Sequence, residues 1–147
     1  MNTAFLAPAA ALAIWSMIML FWMAGTRFPA MKKMRASKGS SGMVSKSRAG
    51  GRGQDLEGLI PDEVNWKAHN YTHLMEQPTV FYAVVFILAL AGAGSFELVL
   101  AWAYVVLRVI HSLWQALVNT IPVRLLIFTA GSVILLFLAV RALILTI

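Results

Sequence analysis

The 147-residue chain contains no cysteine, which excludes disulfides, thiolate metal sites and a cysteine nucleophile of its own. Charge is also scarce. Only 12% of residues are charged and 60% are hydrophobic, where a soluble domain carries roughly a quarter charged residues. With a mean hydropathy of +0.76, these absences exclude an ordinary soluble domain and define an integral membrane protein. Its length suits a single small bundle, residues 1–147, and not two domains. Acidic residues are the scarcer sign, six against twelve basic. The net charge of +6 does not mark a nucleic-acid partner. Nine of the twelve basic residues lie from Arg27 to Lys67, beside membrane segments, as in a cytoplasmic loop.

What is there is four long apolar runs. Met1 to Thr26 carries no charged side chain, and "FLAPAAALAIWSMIMLFWMAG" is long enough to cross a hydrocarbon core about 30 Å thick. A signal peptide would place its positive charge before the apolar run and keep that run shorter. Here Arg27, Lys32, Lys33 and Arg35 follow it, so the segment reads as a retained helix. The polar stretch 27–62, with "SKGSSGMVSKSRAGGRGQ", has no apolar period and reads as a mobile cytoplasmic loop. Its "GGRG" lacks the Lys-Ser/Thr ending and the preceding strand of a phosphate loop. Pro61, Asp62 and Glu63 mark a helix start. The expected helices are about 4–26, 63–91, 96–118 and 122–146, joined after the first loop by short turns that make neighbours antiparallel. The fold class is therefore all-α, a four-transmembrane-helix bundle. With the basic loop cytoplasmic, both termini face the outer side.

Polar residues interrupt these helices in a pattern. In "HNYTHLMEQP", His69, His73 and Glu76 fall on one helical stripe at i, i+4 and i+7. In the third helix, Arg108, His111 and Gln115 form another, at i, i+3 and i+7. Arg124 opens the fourth helix and Arg27 closes the first, so all four helices bring polar groups to the cytoplasmic half. An intramembrane arginine or glutamate is tolerated when paired or facing a watery cavity, and Glu76 and Arg108 are partners by sign and depth. Three plainer readings stand beside a site: a Glu76–Arg108 pair fixing helix register, His69 at the interface, and Arg27, Arg124 and Arg141 as headgroup anchors. The number of polar groups favours a pocket for a polar, anionic ligand entering from the cytoplasm.

The segments "HNYTHLMEQPTVFYAVV" and "RVIHSLWQALVNTIPVR" resemble the MAPEG superfamily, the membrane-associated proteins of eicosanoid and glutathione metabolism. Glu76 matches the helix-two glutamate of that family. Arg108, His111, Pro122 and Arg124 match the pattern of its prostaglandin E synthase and microsomal glutathione transferase branch in type and spacing. The resemblance implies a homotrimer that binds glutathione between subunits. It assigns Glu76 and His73 to the peptide part of glutathione, Arg108 to carboxylates, Arg124 to the thiolate, and Arg27 to a basic position contributed by a neighbouring subunit. His111 and Gln115 complete the expected binding set. His73 stands where the family usually has asparagine. Leu125 and Phe128 lack the hydroxyl expected near the arginine.

The expected function is thus a glutathione-dependent membrane transferase or peroxidase for lipophilic electrophiles, with Arg124 catalytic, glutathione as co-substrate and membrane lipids as surroundings. The absence of eukaryotic targeting motifs points to a bacterial inner membrane. A non-catalytic lipid-binding or scaffold protein of the same fold is the alternative, favoured by Leu125 and Phe128. A metal site on His69, His73 and Glu76 would need a fourth ligand and would face the repulsion of Arg108. A transporter would be expected to show an internal repeat, and none is evident.

Overall fold

The structure, a computed structural model, describes residues 1–38 and 52–147, the side chains of residues 37 and 38 excepted. Helix α1 spans Leu6–Lys38, α2 Asp62–Ala91, α3 Ser95–Leu117 and α4 Ile121–Thr146. Each is long and apolar enough to cross a membrane, and no strand occurs among the described residues. Helix α2 touches all three others.

The first helix departs from expectation. It continues twelve residues beyond Thr26, through Pro29, to Lys38. Pro29 removes only the hydrogen bond to the Gly25 carbonyl, while Met31, Lys32, Lys33, Met34, Arg35 and Ala36 are all good helix formers. Charge therefore marks where the apolar segment ends but not where the helix does. At 1.5 Å per residue a helix of this length extends roughly 50 Å, well past the hydrocarbon. The residues following Arg52 are also ordered into a short 3-10 turn, Gly53–Leu56. The rest of the stretch read as a mobile loop, 39–51, lies outside the described residues.

At the end of the bundle away from the basic segment, the elements are tied closely. Gly92 ends α2 with φ 70°, a conformation glycine adopts without penalty. Its N–H and that of Ala93 return to the carbonyls of Ala89 and Leu88, which closes the helix as a Schellman motif. Asn2 reaches the same corner: its backbone N–H donates to the Ala89 carbonyl at 2.7 Å and its side-chain amide donates to the Ala93 carbonyl at 3.1 Å. These bonds set α1 antiparallel to α2. Below them lies the core of Phe5, Leu12, Phe81, Val85, Leu88 and Leu138, with Phe81 stacked on Tyr104 at 4.4 Å between ring centroids. The outer faces present Phe21, Phe86, Val99, Leu126 and Leu136, as the lipid-facing surface of an integral multi-pass membrane protein would.

Arg141 is not a free headgroup anchor. Its Nε and Nη2 both approach Oε1 of Glu97 at 2.8 Å, joining α4 to the first turn of α3, and Glu97 is buried. Removing the cation leaves a buried carboxylate without its partner, which costs far more than the intact pair contributes. Arg141→Leu is therefore expected to lower stability by about 1–3 kcal/mol. The double change Glu97→Leu/Arg141→Leu should recover most of that loss in thermal unfolding of the detergent-solubilised protein.

Candidate functional site

The inward stripe of α2 runs through Asn70, Leu74, Pro78 and Phe81, displaced from the stripe of His69, His73 and Glu76. Adjacent positions on a helix differ by about 100°, so Gln77, and not Glu76, turns toward α3. The expected Glu76–Arg108 pair does not form. Buried Arg108 donates from Nη2 to Oε1 of Gln77 at 2.6 Å and from Nε to the Tyr104 hydroxyl at 3.0 Å. Tyr104 donates onward to Gln77 Oε1 at 3.3 Å. The Gln77 amide then donates to Ser132 at 2.7 Å, and Ser132 donates to the Phe128 carbonyl at 2.8 Å. One connected network thereby joins α2, α3 and α4. The Arg108 guanidinium also lies 5.3 Å from the Phe128 ring centroid. Neutral acceptors and a ring face hold the cation.

One turn along, His73 and His111 lie 5.0 Å apart between ring centroids, and His73 meets Phe128 edge-on at 5.1 Å. His111 is buried, and its Nε2 has no hydrogen-bond partner; nor has His73 Nδ1 or Gln115 Oε1. Asn70, beside them, donates to Ser112 at 2.7 Å. Buried polar atoms without partners are uncommon and call for a reason.

A cavity of about 530 Å³ opens at this end of the bundle, lined by Arg27, His69, Thr72, His73, Glu76 and Gln115 among others. Five of the seven expected site residues bear on it or on its inner wall: Arg27, His73, Glu76 and Gln115 line it, and His111 lies against His73. Arg108 sits deeper, in the network. Arg124 does not line it. It stands half-buried at the start of α4, one turn before Phe128, and donates to Asn119 Oδ1 at 2.6 Å. The cavity that Arg27 lines is formed within the one chain. Among the described residues only His69–Glu57 and Arg141–Glu97 come within ion-pair distance, so Arg27, Arg108 and Arg124 meet no carboxylate there. No three His, Asp or Glu side chains converge among the described residues as metal ligands would.

Part of the cavity mouth is made by the strap after Arg52. Arg27 donates to the Gly53 carbonyl, and a Cβ at residue 53 would stand 3.0 Å from Arg27 Nη1, so glycine permits this approach. Glu57 pairs with His69 at 2.9 Å, and the Asn65 amide reaches the Leu56 carbonyl at 3.5 Å. Gly53 and Gln54 line the cavity. The strap thus crosses from α1 to α2. Gln77, Tyr104 and Asn119 were missed from sequence. The i, i+4 pairing of Tyr104 with Arg108 was the available signal for one of them.

Four membrane-length helices with a cavity at the basic end define the class: a small polytopic helical membrane protein. The chain belongs to the MAPEG family, whose model matches residues 5–144. No curated protein and no solved structure matches it.

Two outcomes follow. Gln77→Leu should destabilise the protein by about 1–3 kcal/mol, because buried Arg108 and half-buried Ser132 both lose a hydrogen-bond partner. Glu76→Gln should change stability by less than about 0.5 kcal/mol, as a surface replacement does, and thermal unfolding separates the two. The strap gives the second. With no native cysteine, a Thr72→Cys variant carries a single thiol in the cavity, and a soluble maleimide should label it faster when Glu57→Gln is added.

Proposed function

We propose that the protein is a glutathione-dependent membrane transferase or peroxidase acting on lipophilic electrophiles, with the cavity at the basic end as its thiol-peptide site. The observation that carries this reading is the combination of Arg27 and Glu76 across one cavity whose inner wall holds partnerless His73 Nδ1 and Gln115 Oε1. A zwitterionic peptide bearing carboxylates, an ammonium and amide N–H groups complements that set. Arg27 would take a carboxylate, Glu76 the ammonium, and Gln115 Oε1 an amide N–H. Arg108 and His111 form the inner limit, Arg108 acting on the ligand only through its charge from behind the cavity wall. MAPEG membership is consistent with glutathione-related chemistry in a membrane.

Glutathione supplies the nucleophilic sulfur. Arg124, one turn before the Phe128 that backs His73, is assigned the role of stabilising the sulfur as thiolate, since a nearby cation lowers a thiol pKa. In conjugation the thiol proton passes to solvent and a sulfur–carbon bond forms with the electrophile, which loses its leaving group or takes up a proton. In peroxide reduction two glutathione molecules become a disulfide while the peroxide becomes alcohol and water. The bilayer delivers the second substrate between helices. We place the basic end in the cytoplasm, in a bacterial inner membrane, with both termini outside. A homotrimer is the assembly proposed, its copies meeting along part of the exposed apolar surface. A non-catalytic lipid-binding or scaffold role is the second reading, favoured by exposed Leu125 beside Arg124, where a hydroxyl would assist the thiolate.

Calorimetric titration of glutathione into the purified full chain tests the site. Binding is expected, with Arg27→Ala and Glu76→Ala each weakening it about 10- to 100-fold, the usual worth of a charge-assisted hydrogen bond. No binding by wild type, or unchanged affinity in both variants, would contradict the assignment.

A further inference from the structure

The corner between α3 and α4 is built around one residue. Helix α3 ends at Leu117, and the N–H groups of Val118 and Asn119 both return to the Trp114 carbonyl, at 2.9 and 2.8 Å. Asn119 has φ 55° and is the only non-glycine residue with positive φ among those described. Asparagine tolerates this left-handed region better than most residues, but glycine would serve the turn as well. What asparagine adds is its side chain, whose Oδ1 accepts from Arg124 Nη1 at 2.6 Å. The corner itself is fixed twice more: Trp114 Nε1 donates to Thr120 Oγ1 at 2.9 Å, and the Arg124 N–H donates to the Thr120 carbonyl at 3.1 Å. The last turn of α3, the corner and the first turn of α4 are thus one hydrogen-bonded unit carrying the guanidinium.

We propose that Asn119 is a positioning residue for Arg124, holding its guanidinium by a neutral acceptor so that the arginine keeps its full charge for an anionic sulfur. This rests on the reading of Arg124 as the thiolate-stabilising cation. A carboxylate at the same place would hold the side chain equally well but would offset the charge. A free arginine would lose rotamer freedom on meeting its ligand, whereas one already fixed by its surroundings does not. Because Leu125 brings no hydroxyl, orientation of the single cation has more to do here.

The test follows ultraviolet thiolate absorbance of the full-length protein saturated with glutathione, as pH is varied, in wild type, Arg124→Ala, Asn119→Gly and Asn119→Asp. Wild type is expected to show thiolate near neutral pH and Arg124→Ala to lose it. Asn119→Gly keeps the left-handed turn and should keep melting temperature and glutathione affinity. Its thiolate-to-thiol ratio should fall about threefold, an upward move of about half a unit in the midpoint. Asn119→Asp retains an acceptor, so it folds alike, and should raise the midpoint through charge cancellation. Unchanged midpoints in both Asn119 variants, with the signal lost in Arg124→Ala, would overturn the positioning role while leaving the thiolate reading intact. A wild type without thiolate, or an Arg124→Ala protein that keeps it, would overturn both.

Discussion

The rest of the structure depends on how a buried cation is held in a hydrocarbon setting. Arg108 is buried, and an unpaired charge there is expensive. Its guanidinium is satisfied by Gln77 and Tyr104, and Gln77 carries the chain of bonds on to Ser132. Because these groups sit on three helices, the network sets the register of α2, α3 and α4 together. The consequence for function is indirect. Since Arg108 needs no acid, Glu76 remains on the cavity side of α2, available to a ligand.

The two ends of the bundle consequently differ in character. One is closed by short connections: the Gly92 turn, the Asn2 bonds and the Glu97–Arg141 pair leave little polar capacity unspent. The other holds the partnerless atoms of His73, His111 and Gln115, the cavity, and arginines facing no carboxylate among the described residues. The first end is tied by its connections, and the second carries the polar groups from which the proposed site is built. The strap from Arg52 to Ile60 belongs to the second end, attached by polar contacts to Arg27 and His69 and by buried Ile60.

Sequence reading went far with the fold because hydrocarbon imposes length and composition on anything that crosses it. Four apolar runs, short turns and a basic segment sufficed for the helix count. The end of α1 was not legible, since Lys32, Lys33 and Arg35 signal the membrane boundary while also being good helix formers. At the site, residue types were legible and pairings were not. Glu76 and Arg108 match by sign and depth, yet a rotation of one residue puts Gln77 in the contact. Arg141 read as an anchor because nothing in its neighbourhood of the sequence shows Glu97, forty-four residues away. Asn119 was hidden for another reason: its role lies in a left-handed backbone and a bond to Arg124, neither of which composition reveals.

In the proposed function this end of the bundle activates a thiol for attack on a lipophilic partner. The most direct measurement is glutathione-conjugate formation from a membrane-partitioning electrophile by the purified protein in lipid vesicles, against protein-free vesicles and the Arg124→Ala protein. Conjugate well above the vesicle background is expected with wild type, and a return to background with Arg124→Ala. Glutathione bound at the cavity with no conjugate or peroxide turnover across a set of electrophiles would contradict the proposed function and leave the non-catalytic reading in its place.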